Sequence, residues 1–164
     1  MQTLSDPGSE RAVLAGVFRY GAEAYYDVSD ILQTDSLTVD SNQVVFSCME
    51  QYYKKQEGTL DYPTLLSAAK EIGLYDFLNK PSEMTHLKAL MDFPVLLSNI
   101  RPLAAKVRRL HFARQMNIQL ETAQHDISSI SGDETLSHIL GIAENAVFDF
   151  TSMLNKNDDD PVRL

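Results

Sequence analysis

Apolar residues along this chain recur at steps of three and four, and no useful length alternates apolar with polar. That spacing predicts helices and argues against strands, as does the lack of any Asn-Gly or Asp-Gly hairpin turn. A first helix is expected from Ser9 to Tyr20, between Asp6-Pro7-Gly8 and Gly21, with Val13, Leu14, Val17 and Phe18 on its buried face. A short helix should follow over Ala22 to Leu32. Asp40 and Gln43 have capping-box spacing ahead of Val44, Val45, Cys48, Met49 and Tyr52. Asp61 can cap the next helix, which tolerates Pro63 in its first turn and stops at Gly73. Short helices are expected at Tyr75 to Leu78, Met84 to Met91 and Pro94 to Leu97.

The last third changes character. From Asn99 to Ile130 one seam runs through Ile100, Leu103, Val107, Leu110, Ala113, Met116, Leu120, Ala123, Ile127 and Ile130, close to a heptad pattern. Pro102 is expected in its first turn. Ser131-Gly132-Asp133-Glu134 breaks the chain, and Ser131 and Glu134 again have capping-box spacing. A second long helix should then reach Leu154, carrying Leu136, Ile139, Leu140, Ala143, Val147, Phe150 and Leu154. The fold class expected is all-α: a compact N-terminal bundle over 1–98, then an antiparallel hairpin over 99–154. Residues 155–164 read as a linker or disordered tail, since Asn155 to Pro161 is polar, acidic and ends in proline. Phe148 and Phe150 stand about 200° apart on a helix, so one hairpin contact cannot bury both.

Charge adds a second contrast. The 164 residues carry a net charge of −9. Residues 1–100 hold seven cations against fourteen carboxylates, whereas 101–125 hold five cations and one carboxylate. Arg101, Lys106, Arg108, Arg109 and Arg114 therefore form one basic stretch in an acidic chain. Its plainest reading is a solvated face paired with the acidic remainder. The functional readings are contact with an acidic protein or with phosphate, which only clustered Lys and Arg can supply.

Candidate chemistry is sparse. No glycine precedes a lysine in Walker spacing, and no dinucleotide-type glycine turn occurs. Cys48 is the single cysteine and lies on an apolar helix face, as a small core residue would. It makes no intramolecular disulfide, which suits a cytoplasmic setting. His86, His111, His125 and His138 show no zinc spacing. Asp158-Asp159-Asp160 reads as a solvated charge run. Tyr25-Tyr26 and Tyr52-Tyr53 read as packing groups rather than base-stacking platforms. No catalytic, cofactor-binding or metal-binding residue is expected in this chain, and no apolar run approaches a membrane span.

A set of short motifs nevertheless falls in a telling order. Asn99-Ile100, Leu103-Ala104, Val107-Arg108 and Arg114 resemble the start of the collar hairpin in DnaB-type replicative helicases. Leu140, Ala143-Glu144 and Val147-Phe148 are similar to that family's second hairpin helix. Glu10, Ala12-Val13-Leu14 and Gly16 resemble its opening, and Gly58-Thr59-Leu60-Asp61 with Leu65 its turn and helix. The resemblance covers residues 9–150. Departures include Ser9 and Ala15 where Ala and Gly are usual, Asn42 where His is usual, Leu60 where Pro is usual, and little match from Tyr75 to Leu97. They point to a divergent, phage-type member.

The resemblance implies a non-catalytic collar domain, in the cytoplasm of a bacterium or phage-infected cell. The ATPase motor, with its ATP and Mg, would lie beyond a linker. It implies self-association as a dimer, and as a trimer of dimers in the full-length ring, through Leu103, Val107, Leu110, Leu140, Ala143, Val147 and Phe148. Primase and a helicase loader would dock on the collar, and DNA would pass through it near Arg101, Arg108, Arg109 and Arg114. The competing expectation is a stand-alone acidic helical adaptor or regulator of another protein.

Overall fold

The computed structural model describes residues 3–156, with side chains apart from those at 149 and 151–156. Eight α-helices and one 3-10 turn appear among the described residues, and no strand. The all-α expectation holds. The helices are α1 (Pro7–Tyr20), α2 (Ala22–Val28), α3 (Asp40–Tyr53), α4 (Tyr62–Glu71), α5 (Tyr75–Leu78), α6 (Pro81–Asp92), α7 (Leu97–Ser128) and α8 (Leu136–Lys156).

The chain divides into two compact units. One, Ser5–Arg108, holds α1 to α6 and the first part of α7. The other gathers the described residues from Arg109 onward with the N-terminal residues through Leu4. The core of the first unit contains Leu14, Leu37, Phe46, Met49, Leu65, Leu78, Leu87, Leu90 and Ile100, all under 2% exposed. Tyr25 and Tyr53 stack within it, ring centroids 4.4 Å apart. Cys48 is fully buried, and burial pushes its thiol up to about 12, which leaves it inert as a nucleophile.

Several helix ends differ from the sequence expectation for identifiable reasons. Helix α1 begins at Pro7 because Asp6 is its N-cap, accepting from the Ser9 amide at 3.1 Å. Asp6 also takes Lys106 at 2.6 Å, and these bonds hold its carboxyl down to about 2. Asp40 is not the cap of α3. Val39 occupies that position, and the Gln43 amide donates instead to the Leu37 carbonyl. The entry to α3 is fixed from elsewhere in the chain: buried Glu10 accepts from the Thr38 amide at 2.9 Å and the Val39 amide at 3.4 Å, both just ahead of the helix. Asp61 caps α4 as expected, accepting from the Thr64 amide at 3.0 Å, and Gly73 takes the left-handed conformation at φ 76°.

Residues Phe93 to Leu96 adopt no regular structure, so the helix expected over Pro94 to Leu97 is absent. Its place is taken by an earlier start of α7 at Leu97. Pro102 is thus the sixth residue of that helix, beyond the first turn. The missing amide leaves the Ser98 carbonyl on an exposed face, where water can serve it. At the hairpin turn, Glu134 accepts from the Ser131 and Gly132 amides, but this motif closes the turn and does not cap a helix. Thr135 caps α8, its hydroxyl accepting from the His138 amide at 3.1 Å. Helix α8 carries on to Lys156, and the remainder of the predicted tail lies outside the described residues.

Candidate interaction surfaces

The single apolar seam predicted along the last third serves two different purposes. Ile100 and Val107, with Ala104, are buried in the core of the Ser5–Arg108 unit, and Leu103 is half-buried against it. Those contacts exist within one chain, so Val107 has almost no surface left for a second copy. Leu110 is half-buried in the hairpin unit.

In the hairpin unit the two helices share few residues fully. Phe112 of α7 meets Phe150 of α8 edge-on, centroids 5.0 Å apart at 71°. Phe150 is 4% exposed, and Ala123 and Ala146 are also buried. The outward side of α8 remains open. Leu136, Leu140, Ala143 and Val147 follow one another at steps of four, three and four, hence along one stripe, and all are exposed. Phe148 is 68% exposed, on a different side of the helix from Phe150. Ile118, Leu120 and Ile127 are exposed large apolar residues of α7. A monomer that leaves so many aliphatic and aromatic side chains on one element carries the mark of an association surface.

The basic stretch is dispersed by its partners. The Arg101 guanidinium donates to the Asp27 carbonyl and to Asp30, the latter at 3.1 Å. Lys106 is taken by Asp6. Arg114 donates to the Leu4 carbonyl and lies 3.4 Å from His111 Nδ1. Arg108 is half-buried and Arg109 exposed. The four arginines therefore do not form a free phosphate-binding cluster, because Arg101 and Arg114 are engaged in fastening α7 locally.

Sequence reading missed a buried polar network in the first unit. Glu10, 1% exposed, also accepts from the Thr38 hydroxyl and from Asn42 Nδ2 at 3.3 Å. Asn42 Oδ1 lies 2.9 Å from His86 Nε2, which must then carry the proton. Burial lowers the His86 pKa, an effect opposed by Glu83 and aided by Arg11. The network joins α1, α3 and α6, and its one signal in the sequence was a lone glutamate on an apolar helix. Among the described residues no group of three His, Cys, Asp or Glu side chains is placed to hold a metal ion, and no helix is long and apolar enough to cross a membrane.

Comparison with known proteins supplies the frame. The model of the DnaB-like helicase N-terminal domain matches residues 2–109 of the chain. No curated protein matches by sequence. Among solved structures, the crystal structure of the N-terminal domain of DnaB helicase from Mycobacterium tuberculosis is similar, with a TM-score of 0.73 at 18% identity. The match covers 90% of this chain and 99% of that one, and at such identity it speaks for the fold alone.

Proposed function

The chain belongs to the family of DnaB-like helicase N-terminal domains, and on that premise we propose that it is the non-catalytic collar of a replicative DNA helicase. It pairs with a second copy through the hairpin and, in the whole protein, builds a ring from three such pairs. The ring docks primase or a loader, and the ATP- and Mg-dependent motor is a separate domain of the parent protein. The observation that carries this reading is the exposed apolar side of α8, with Leu136 85%, Leu140 60%, Val147 53% and Phe148 68% exposed.

An isologous pairing brings the same stripe against itself and buries Leu136, Leu140, Ala143 and Val147 of both copies, with Phe148 about 100° round the helix at its flank. Leu103 and Val107 act differently: they hold the first turns of α7 in the globular unit, so the pairing surface is the distal part of the hairpin. DNA contact is a property of the ring, where several copies present the exposed Arg109 to one strand. The test is light scattering across a concentration series. A dimer that forms with rising concentration is expected, and a strict monomer at high micromolar concentration would overturn the reading.

A further inference from the structure

A second apolar surface lies far along the sequence from the hairpin stripe, within the Ser5–Arg108 unit. Residues Phe93 to Leu96 form an irregular stretch between α6 and α7, held by the Tyr20 hydroxyl, which donates to the Val95 carbonyl at 2.7 Å. Beside it opens a groove of about 410 Å³, floored by Ala12 and Leu103 and walled by Phe93, Pro94 and Leu96. Leu96 is 65% exposed at its lip. Nothing in the fold of this unit requires a leucine there, since the Tyr20 bond already fixes the stretch through its backbone.

Charge marks the same place. Arg11 and Arg19 are the sole cations of the first 53 residues. They stand eight positions apart on α1, about two turns, so they share a face. Arg19 lines the groove, and the Arg11 guanidinium sits 5.9 Å from the ring centroid of Phe93, one of its lining residues. Both are exposed. Asp92 is the one carboxylate next to the stretch in sequence. A largely apolar trough with one guanidinium in its lining and a second beside Phe93 matches a short peptide that carries aliphatic or aromatic side chains next to carboxylates.

We propose that this groove is a docking site for an acidic-apolar segment of a partner protein, read by Arg11, Arg19 and Leu96. The inference deepens the docking role proposed above and rests on it. A second copy of this chain is the competing occupant. It is disfavoured because the hairpin already offers a self-complementary surface, whereas the groove's paired cations call for a different sequence.

The experiment selects a displayed library of random 12-residue peptides on the whole chain, with binding of the enriched peptides then measured by fluorescence anisotropy. Enrichment of peptides with Asp or Glu next to Leu, Ile or Phe is expected. Their affinity should fall about tenfold in Arg19→Glu and in Leu96→Asn, and be unchanged in Lys55→Glu, which lies outside the groove. Circular dichroism checks that the variants fold, as exposed positions should allow. Lack of enrichment, enriched peptides without carboxylates, or equal binding by the Arg19→Glu variant would overturn the proposal. So would a change of oligomeric state in Leu96→Asn, which would assign the groove to a second copy. Self-association of the wild type is read separately by light scattering, so failure of the collar reading is distinguishable from failure of the groove.

Discussion

Ile100 packs against the bare backbone of Gly16. A methyl group placed on that glycine would stand 2.7 Å from Ile100 Cγ1 and closer still to Cδ1. Both residues are fully buried, so α1 and the first turns of α7 approach at a distance only glycine permits.

Replacing Gly16 by alanine should therefore destabilise the protein in spite of alanine's better helix propensity. Overpacking of this kind costs about 1–3 kcal/mol, against a gain of up to about 1 kcal/mol from propensity. Urea unfolding should show a lower midpoint with an unchanged slope. A neutral or stabilised variant would mean that Ile100 swings aside at no cost.

The two phenylalanines of α8 should separate stability from association. Phe148→Asp, or Val147→Asp, places a charge in the proposed pairing surface and should yield monomers at concentrations where the wild type is dimeric, with helical circular dichroism retained. Phe150→Ala removes the ring that meets Phe112 and should cost about 3–5 kcal/mol of stability. Unfolding by Phe148→Asp would make that residue internal core.

Acid should weaken the fold through two groups. The His86 pKa in the folded protein lies below its ordinary value, so the unfolded chain binds the proton first and stability falls as pH drops below about 6.5. Asp6, held down to about 2, contributes stability above about 4 that disappears as pH falls from there towards 2. His86→Gln can still donate to Asn42 and should flatten the first limb while leaving the second. A pH profile identical to wild type between 5 and 7 would remove His86 from the account.

Binding of DNA by the isolated chain should be weak and salt-sensitive. With Arg101 and Arg114 engaged in fastening α7, few cations remain to displace counterions, so binding seen at about 50 mM salt should vanish near 200 mM. Tight duplex binding that survives this range would contradict the arrangement of the arginines.

Helices with a clear helical spacing of apolar residues were legible from sequence alone: α1, α4 and the long pair α7 and α8 appear with their ends moved by a few residues. Asp6 and Thr135 moved the starts of α1 and α8 locally, whereas the entry to α3 depends on a distant partner. Val39 stands at the cap position of α3 with no side-chain acceptor to offer, and no local pattern reveals that Glu10 fixes that entry across the chain. The α7 seam misled for a related reason. Its spacing is uniform, yet Ile100 and Val107 belong to the globular core while Leu120 and Ile127 remain exposed, and periodicity carries no record of which partner fills each step. The divergence of Phe148 from Phe150 was legible, because it follows from helical geometry alone.

The borrowed carboxylate of Glu10 has a kinetic meaning. A helix whose entry, the amides of Thr38 and Val39 just ahead of it, is fixed by a residue 28 or 29 positions earlier is anchored only after that residue has arrived. Helix α3 should therefore form late as an isolated element and early as a pair with α1, so the two make one cooperative foldon. Contacts of this sequence separation slow the search for the native state, while the short-range turn at Ser131 to Glu134 lets the hairpin close quickly. On the ribosome the order then becomes a matter of synthesis: the Glu10 carboxylate has emerged before the amides of Thr38 and Val39 that need it, so α3 can be completed as it leaves the exit tunnel.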